Sequence, residues 1–418
     1  MRLVARLFAT LGLGSLALGS VLAVAGPRAG ADPSLVFVSR SGATGAADVS
    51  CSTAAFSSII AAVAAAPGGG TVIVCPGTYA QTVTVSGKPV HLRGFGATID
   101  ASGLSQGVVI EGSDTAGTSL QGFQVEHAQM EGVLVEGTSH VTIADNVIAN
   151  NDVTCQPQAN FAADCGEGLH LEAVTDSSVS GNQLRRNAGG VLLDDGVPTA
   201  GLLGPPTPFA GPTSGNWIGF NVAEDNPWDC GITLASHNAS AVSASGAPQP
   251  TMGGVFDNTV IGNVSLNNGV ADGNGSGILM AAPLPGMGTY DNLVVSNRSS
   301  GNGLAGITIH SHAPGQDING NRLVGNVIGR NAVDGGGGFG VVRPPTPGDS
   351  AAGLVGSTAG IVIWSASAVT PITGTTVVAN SIFADDDGVW MRNTAGTQVA
   401  DNHFFGVTSP VVTPPDSE

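Results

Sequence analysis

The chain has 418 residues, 13 Lys+Arg against 31 Asp+Glu and a formal net charge of −18, which excludes a nucleic-acid binder. At 42% hydrophobic it is too rich in branched aliphatics for a disordered chain. Its 5% aromatic content, 63 glycines and single lysine, Lys88, are unlike an ordinary mixed domain and suit a repeat array.

In chain order, Arg2 and Arg6 precede an apolar run from Leu7 to Ala25, and Ala29-Gly30-Ala31 offers the small residues of a signal-peptidase site, with Ala23-Val24-Ala25 as an alternative. Residues 1–31 are read as a signal peptide outside the fold. The glycines at 12, 14 and 19 dilute the run as a retained anchor, and no second spanning stretch follows, so no stable membrane span is expected after processing. Removal takes away Arg2, Arg6 and Arg28 and leaves ten cations against 31 acids, a net −21, on a chain that is secreted or held in the cell envelope. Export permits disulfides.

Five cysteines stand at 51, 75, 155, 165 and 230. Cys51 and Cys75 are the preferred pair, because they flank a helical pattern with Ser52 as its N-cap, Phe56, Ile59, Ile60 and Val63 on one face, and Pro67-Gly68-Gly69-Gly70 as its stop. A bridge there ties the helix to a strand over Thr71 to Cys75, by roughly 3 kcal/mol in the loop-entropy model. The pairing of Cys155, Cys165 and Cys230 stays open. Asp-Cys-Gly at 164–166 and 229–231 fits no zinc spacing.

From residue 107 one unit recurs: glycine, apolar, variable, apolar. It begins at Gly107, Gly132, Gly168, Gly190, Gly231, Gly277, Gly306, Gly360 and Gly388, at intervals of 22 to 54 residues. The shortest interval suits one turn of a parallel β-solenoid, and the excess in longer ones is Pro/Gly-rich, as in Val197 to Ser214, which predicts loops projecting from a constant stem. Asparagines recur every five residues, as in Asn216/Asn221/Asn226, Asn258/Asn263/Asn268, Asn292/Asn297/Asn302 and Asn321/Asn326/Asn331. Weaker copies stand at Asn146/Asn151, Asn182/Asn187 and Asn380/Asp385. Asparagine tolerates turn conformations and its amide stacks in ladders, so one per bend, with a strand triplet between, is the expected use.

This pattern resembles the right-handed parallel β-helix repeat proteins of the pectate-lyase-like superfamily, of the carbohydrate-binding and sugar-hydrolysis type, over about residues 50–410. The resemblance implies an all-β solenoid over 32–406, coils from about 81, and a segment 50–80 whose Ala-rich helix and Cys75-Pro-Gly-Thr-Tyr79 look like the helix that caps the first coil in many secreted members. Residues 407–418 read as a Thr/Pro spacer. The family's polygalacturonase motifs Asn-Thr-Asp, Gly-His-Gly and Arg-Ile-Lys are missing, and so is the Asp-Pro-His-Asp of mannuronan epimerases; Asp194-Asp195 matches only the paired aspartates.

Aligned on the glycines, the first and third following positions are apolar and predicted to face the core, so the second and fourth face outward. The fourth reads Glu111, Glu136, Glu172, Asp194, then Ala235, Ala281, His310, Trp364 and Arg392. Stacked carboxylates about 4.8 Å apart repel unless a proton or cation intervenes. Adding Glu131, Glu167, His170, Asp195 and His237 gives an acidic patch over coils 132 to 237 with imidazoles at its edge.

Three chemistries suit such a patch. Glu136, His170, Glu172, Asp194 and Asp195 are the catalytic candidates for acid/base cleavage of a polysaccharide or oligosaccharide, with Glu167, Arg186 and His237 binding substrate. Alternatively Glu111, Glu136, Glu172 and Asp194 hold calcium, with Arg185 or Arg186 as the base of a β-eliminating lyase. The third is a non-catalytic surface: an adhesin-like module or a metal-delivery helper. His310 and His312 form a second, lesser cluster.

Overall fold

Short runs in which alternate residues are apolar bury one face and leave the other free, and here that period of two is paid out in parallel strands that stack coil upon coil. The computed structural model describes residues 34–41, 49–152, 166–199, 206–271, 275–312, 314–331 and 357–414. The expected signal peptide, and Cys155 and Cys165, lie outside these residues.

One wall is an eleven-stranded parallel sheet running from Val83–Ser86 through Val108–Glu111, Val133–Glu136, Glu167–Glu172, Gly189–Asp194 and Ile232–Ala235 to Ser409–Val412. All nine glycine-led segments lie on it in sequence order. Their first and third apolar residues, such as Val133/Val135, Leu169/Leu171 and Val191/Leu193, enter one continuous core. Most of the other strands form two further ladders, besides a three-stranded one of Thr213–Ser214, Val255–Phe256 and Thr289–Tyr290 and the pair Ile372–Thr373 with Thr394–Ala395; the long strands Val90–Asp100 and Ser119–Glu126 run through both of the large ladders, with a register shift between Arg93 and Ala97. The strand triplets between asparagines, such as Trp217–Gly219 and Val222–Glu224, occupy these two ladders separately.

The asparagines stand at the bends and form three buried ladders. In one, each Oδ1 accepts from the backbone and side-chain amides of the preceding coil, from Asn146 through Asn182, Asn221, Asn263, Asn297, Asn326 and Asn380 to Asn402. Each ladder thus satisfies the backbone groups that a bend takes out of the sheet. Turn tolerance is not why asparagine is used: the left-handed residue is the one before it, Phe220 (φ 57°) before Asn221, Arg186 (φ 54°) before Asn187, Ser296 (φ 56°) before Asn297.

At the N-terminal end, strand Leu35–Val38 pairs with Gly70–Val74, so the stack begins before the coils expected from about 81. The helix is Ile59–Ala65, shorter than the pattern implied; its N-cap is Ser58, which accepts from the Ala61 amide, while Ser52 lies in a 3₁₀ turn and Ile60 is exposed. Ile59, Ala62 and Val63 pack into the core. Cys51 and Cys75 are joined by a disulfide, and Cys230 is a buried free thiol. The 407–418 segment is not simply a spacer, because Ser409–Val412 adds the last strand to the long wall. Among the described residues no helix is long and apolar enough to cross a membrane.

Candidate active site

The outward positions of the long wall carry the chemistry. Ser86, Glu111, Glu136, Glu172 and Asp194 are successive register partners, so the carboxylates expected to stack do so on adjacent strands. Farther along, Ala281, His310, Trp364 and Arg392 continue the same line. Glu167 pairs in register with Gly189, where a side chain would strike its Cγ at 3.1 Å, so glycine there leaves room for a buried glutamate.

His170 stands among the acids rather than at their edge. Its Nδ1 lies 3.8 Å from Glu131 and its Nε2 3.4 Å from Asp194, whose other oxygen is 2.7 Å from His237 Nδ1. Burial opposes a charge on His170, yet Asp194, Glu131 and Glu167 together hold its pKa well above the usual imidazole value. Burial likewise opposes the charge on Asp194, but His170 and His237 hold that carboxyl below its ordinary range. Glu131 is lowered against its burial by His170, and accepts a hydrogen bond from Gln106 at 3.1 Å. Glu172 goes the other way: burial first, then the Asp194 charge, push it up to about 8. Glu136 is raised more modestly by burial and by Glu111. Neighbouring carboxyls on one line are therefore pushed in opposite directions, Glu172 toward the neutral acid and Asp194 toward the carboxylate.

A groove of about 590 Å³ runs across Thr82, Thr84, Gln106, Glu111, Glu131, Glu136, His170 and Glu172. It lies one coil or more toward the N-terminus of the expected patch, and the reason is the loop 206–212. That loop does not project; it folds back, Gly211 donating to the Asp195 carbonyl and Thr207 to the Val197 carbonyl. The Phe209 ring occupies the space over Gly137, where a Cβ would meet Phe209 Cδ1 at 2.1 Å. Thr207 and Pro208 thus close one end of the groove.

Of the expected site residues, Glu167, Asp194 and His237 do not line the groove, and Asp195 and Arg186 have other work. Asp195 is fully buried, and its oxygens accept from the His237, Asn238 and Gly254 amides (2.6, 3.0 and 2.6 Å) and from Ser236 Oγ (2.8 Å). Burial and the Asp194 charge raise it to about 6, but its lone pairs are spent on the chain. Its catalytic assignment is corrected to a structural one. Arg186 is exposed at a bend beyond strand Gln183–Arg185, on another ladder, with Nε donating to Asn150 at 3.0 Å; neither it nor Arg185 lines the groove, which removes both as a lyase base and Arg186 as a substrate ligand. Glu131, the loop residues Thr207 and Pro208, and Met130 were not among the residues assigned roles. Only Glu131 carried a sequence signal, its place before a repeat glycine.

His170, Glu172 and Asp194 each offer one ligand atom, all within 4.8 Å of one another, and so form a possible metal-ion site. Glu111 and Glu136 of the expected calcium set are outside it. An imidazole in the set suits calcium poorly, since that ion takes six to eight oxygens. At the far coils, His310 and His312 are buried with Nε2 atoms 3.1 Å apart, and both pack on the Trp364 indole. Burial drives His310 well below the ordinary imidazole pKa, as a neutral aromatic cluster requires.

No protein-family model matches the sequence, and no curated protein matches it. Solved structures do. The A-module of mannuronan C-5 epimerase AlgE4 from Azotobacter vinelandii is 15% identical, with a TM-score of 0.51 over 84% of this chain and 91% of that one. PfbA, a surface adhesin of Streptococcus pneumoniae, is 12% identical, with a TM-score of 0.52 over 84% of this chain and 85% of that one. At such identities the likeness is one of fold, and the fold is the right-handed parallel β-helix.

Proposed function

We propose that this chain is an exported carbohydrate-active protein that hydrolyses an extracellular polysaccharide in the groove, with Glu172 as general acid and Glu136 as the second carboxylate. The observation that carries the reading is Glu172, raised to about 8 at the groove wall beside an ionised Asp194, because a carboxylic acid that keeps its proton at neutral pH is what a glycosidic oxygen needs. Similarity of fold to a polysaccharide-modifying module and to an adhesin is in keeping with a carbohydrate partner. The helix Ile59–Ala65 serves as the cover of the first coil.

In the proposed reaction Glu172 gives its proton to the leaving oxygen as the C1–O bond breaks, and the Glu136 carboxylate bonds to C1. Water, deprotonated by Glu172, then displaces Glu136 and restores both groups. The backbone spacing of register neighbours, about 4.8 Å, favours double displacement, whose carboxyls stand roughly 5–5.5 Å apart, over the wider single-displacement gap, and retention of the anomeric configuration is the expected outcome. Asp194 acts as a positioning residue: its negative charge, held by His170 and His237, raises Glu172 against the direct opposing pull of the His170 charge. The test is a polysaccharide panel read for reducing ends and for unsaturated products, with and without chelator. Reducing ends lost in Glu172→Gln, and indifferent to chelator, are expected; unsaturated products would refute hydrolysis, and binding without turnover would favour an adhesin-like module.

A further inference from the structure

The groove's charge is unbalanced in a way that selects its occupant. Glu111, Glu131 and Glu136 line it, whereas among the described residues no lysine or arginine does. Its one imidazole, His170, is buried and stands between Glu131 and Asp194, at 3.8 and 3.4 Å. Glu172 is only 4% exposed, and its Oε1 has no hydrogen-bond partner in the protein, so a buried polar atom at the wall awaits a partner from outside. Val109, Leu134 and Met130 supply apolar surface between the acids for the faces of pyranose rings. Lysine is absent elsewhere except at Lys88, which donates to the Ala64 and Ala66 carbonyls by the helix.

Resting on the hydrolytic reading of the same site, we infer that the groove takes a polymer of amino sugars whose amines are free and protonated, rather than a polyuronate or an N-acetylated chain. Ammonium groups donate where Glu111 and Glu136 accept, and a uronate would meet a row of like charges with no cation to receive it. The observation favouring a cationic chain is the row of acids with no lysine or arginine at the described wall, which a polyanion would not answer; the unpaired Glu172 oxygen calls for a bound partner of hydrogen-bonding chemistry.

The test is calorimetric binding by full-length Glu172→Gln protein, disabled for turnover, of β-1,4-glucosamine hexamer, its fully N-acetylated counterpart and a hexauronate. The expected result is about tenfold tighter binding of the free amine form, a preference that fades in high salt, and loss of about tenfold on adding Glu111→Lys. As a control, Glu224→Lys on another ladder leaves binding unchanged, which separates groove recognition from attraction to a chain of net charge −18. Equal binding of the two hexamers, tighter binding of the uronate, or an equal loss from Glu224→Lys would overturn the inference. Wild-type cleavage of neutral polymers alongside any of these would leave hydrolysis standing; an amine preference with no turnover on any polymer would do the reverse.

Discussion

Replacing Glu172 with glutamine should make the protein more stable at high pH while removing its activity. The folded-state pKa of Glu172 lies above its unfolded value, so the native chain keeps a proton that the unfolded chain releases, and stability falls as pH climbs from about 4.5 to about 8. At about 1.4 kcal/mol per pH unit, the wild-type residue weakens the fold by about 5 kcal/mol above pH 8, by about 3 kcal/mol at pH 7, and by almost nothing at pH 4. Glutamine is neutral throughout and takes the place of the protonated acid. Coils of a solenoid contact only their neighbours, so global unfolding is a poor measure; amide exchange at Leu169, Leu171 and Leu193 reports the coils concerned. Protection in Glu172→Gln should match wild type at pH 4.5 and exceed it increasingly toward pH 8.5, while turnover falls by about 10²–10⁴. A stability difference that does not change with pH would mean that Glu172 is ionised in the folded protein, and the acid role would fall with it.

Turnover of the wild type should decline above pH about 8, as Glu172 loses its proton; a pH–rate profile still rising there would contradict the assignment. Gly137→Ala places a methyl against the Phe209 ring and should displace the loop 206–212, weakening substrate binding by several-fold while circular dichroism stays that of the wild type. Asn263→Ala leaves the Ile218 carbonyl without the Asn263 amide, and the Asn221 amides without their acceptor, at a cost of about 3–5 kcal/mol, visible as faster exchange in the coils on either side. Reducing Cys51–Cys75, which closes a separation of 24 residues, should cost about 3 kcal/mol, confined to the N-terminal end and readable as early proteolysis there.

Much of the scaffold was legible because a solenoid writes its periodicity into the chain. Nine glycine-led segments fall on one wall in the order read, and the fourth-position line from Glu111 to Arg392 is the register line of the sheet. The asparagine spacing marked the bends, although the left-handed backbone falls on the residue before each ladder asparagine, where Phe220 and Arg186 show no turn preference. Strand pairing is local between consecutive coils, so pattern alone determines which residues become neighbours along the stack. Pattern does not determine what the aperiodic segments do. Only tertiary structure folds 206–212 back over Gly137, buries Asp195 under four donors, and sets His170 between Glu131 and Asp194, because loops answer to no period and a proton's place depends on the summed charges and burial around it.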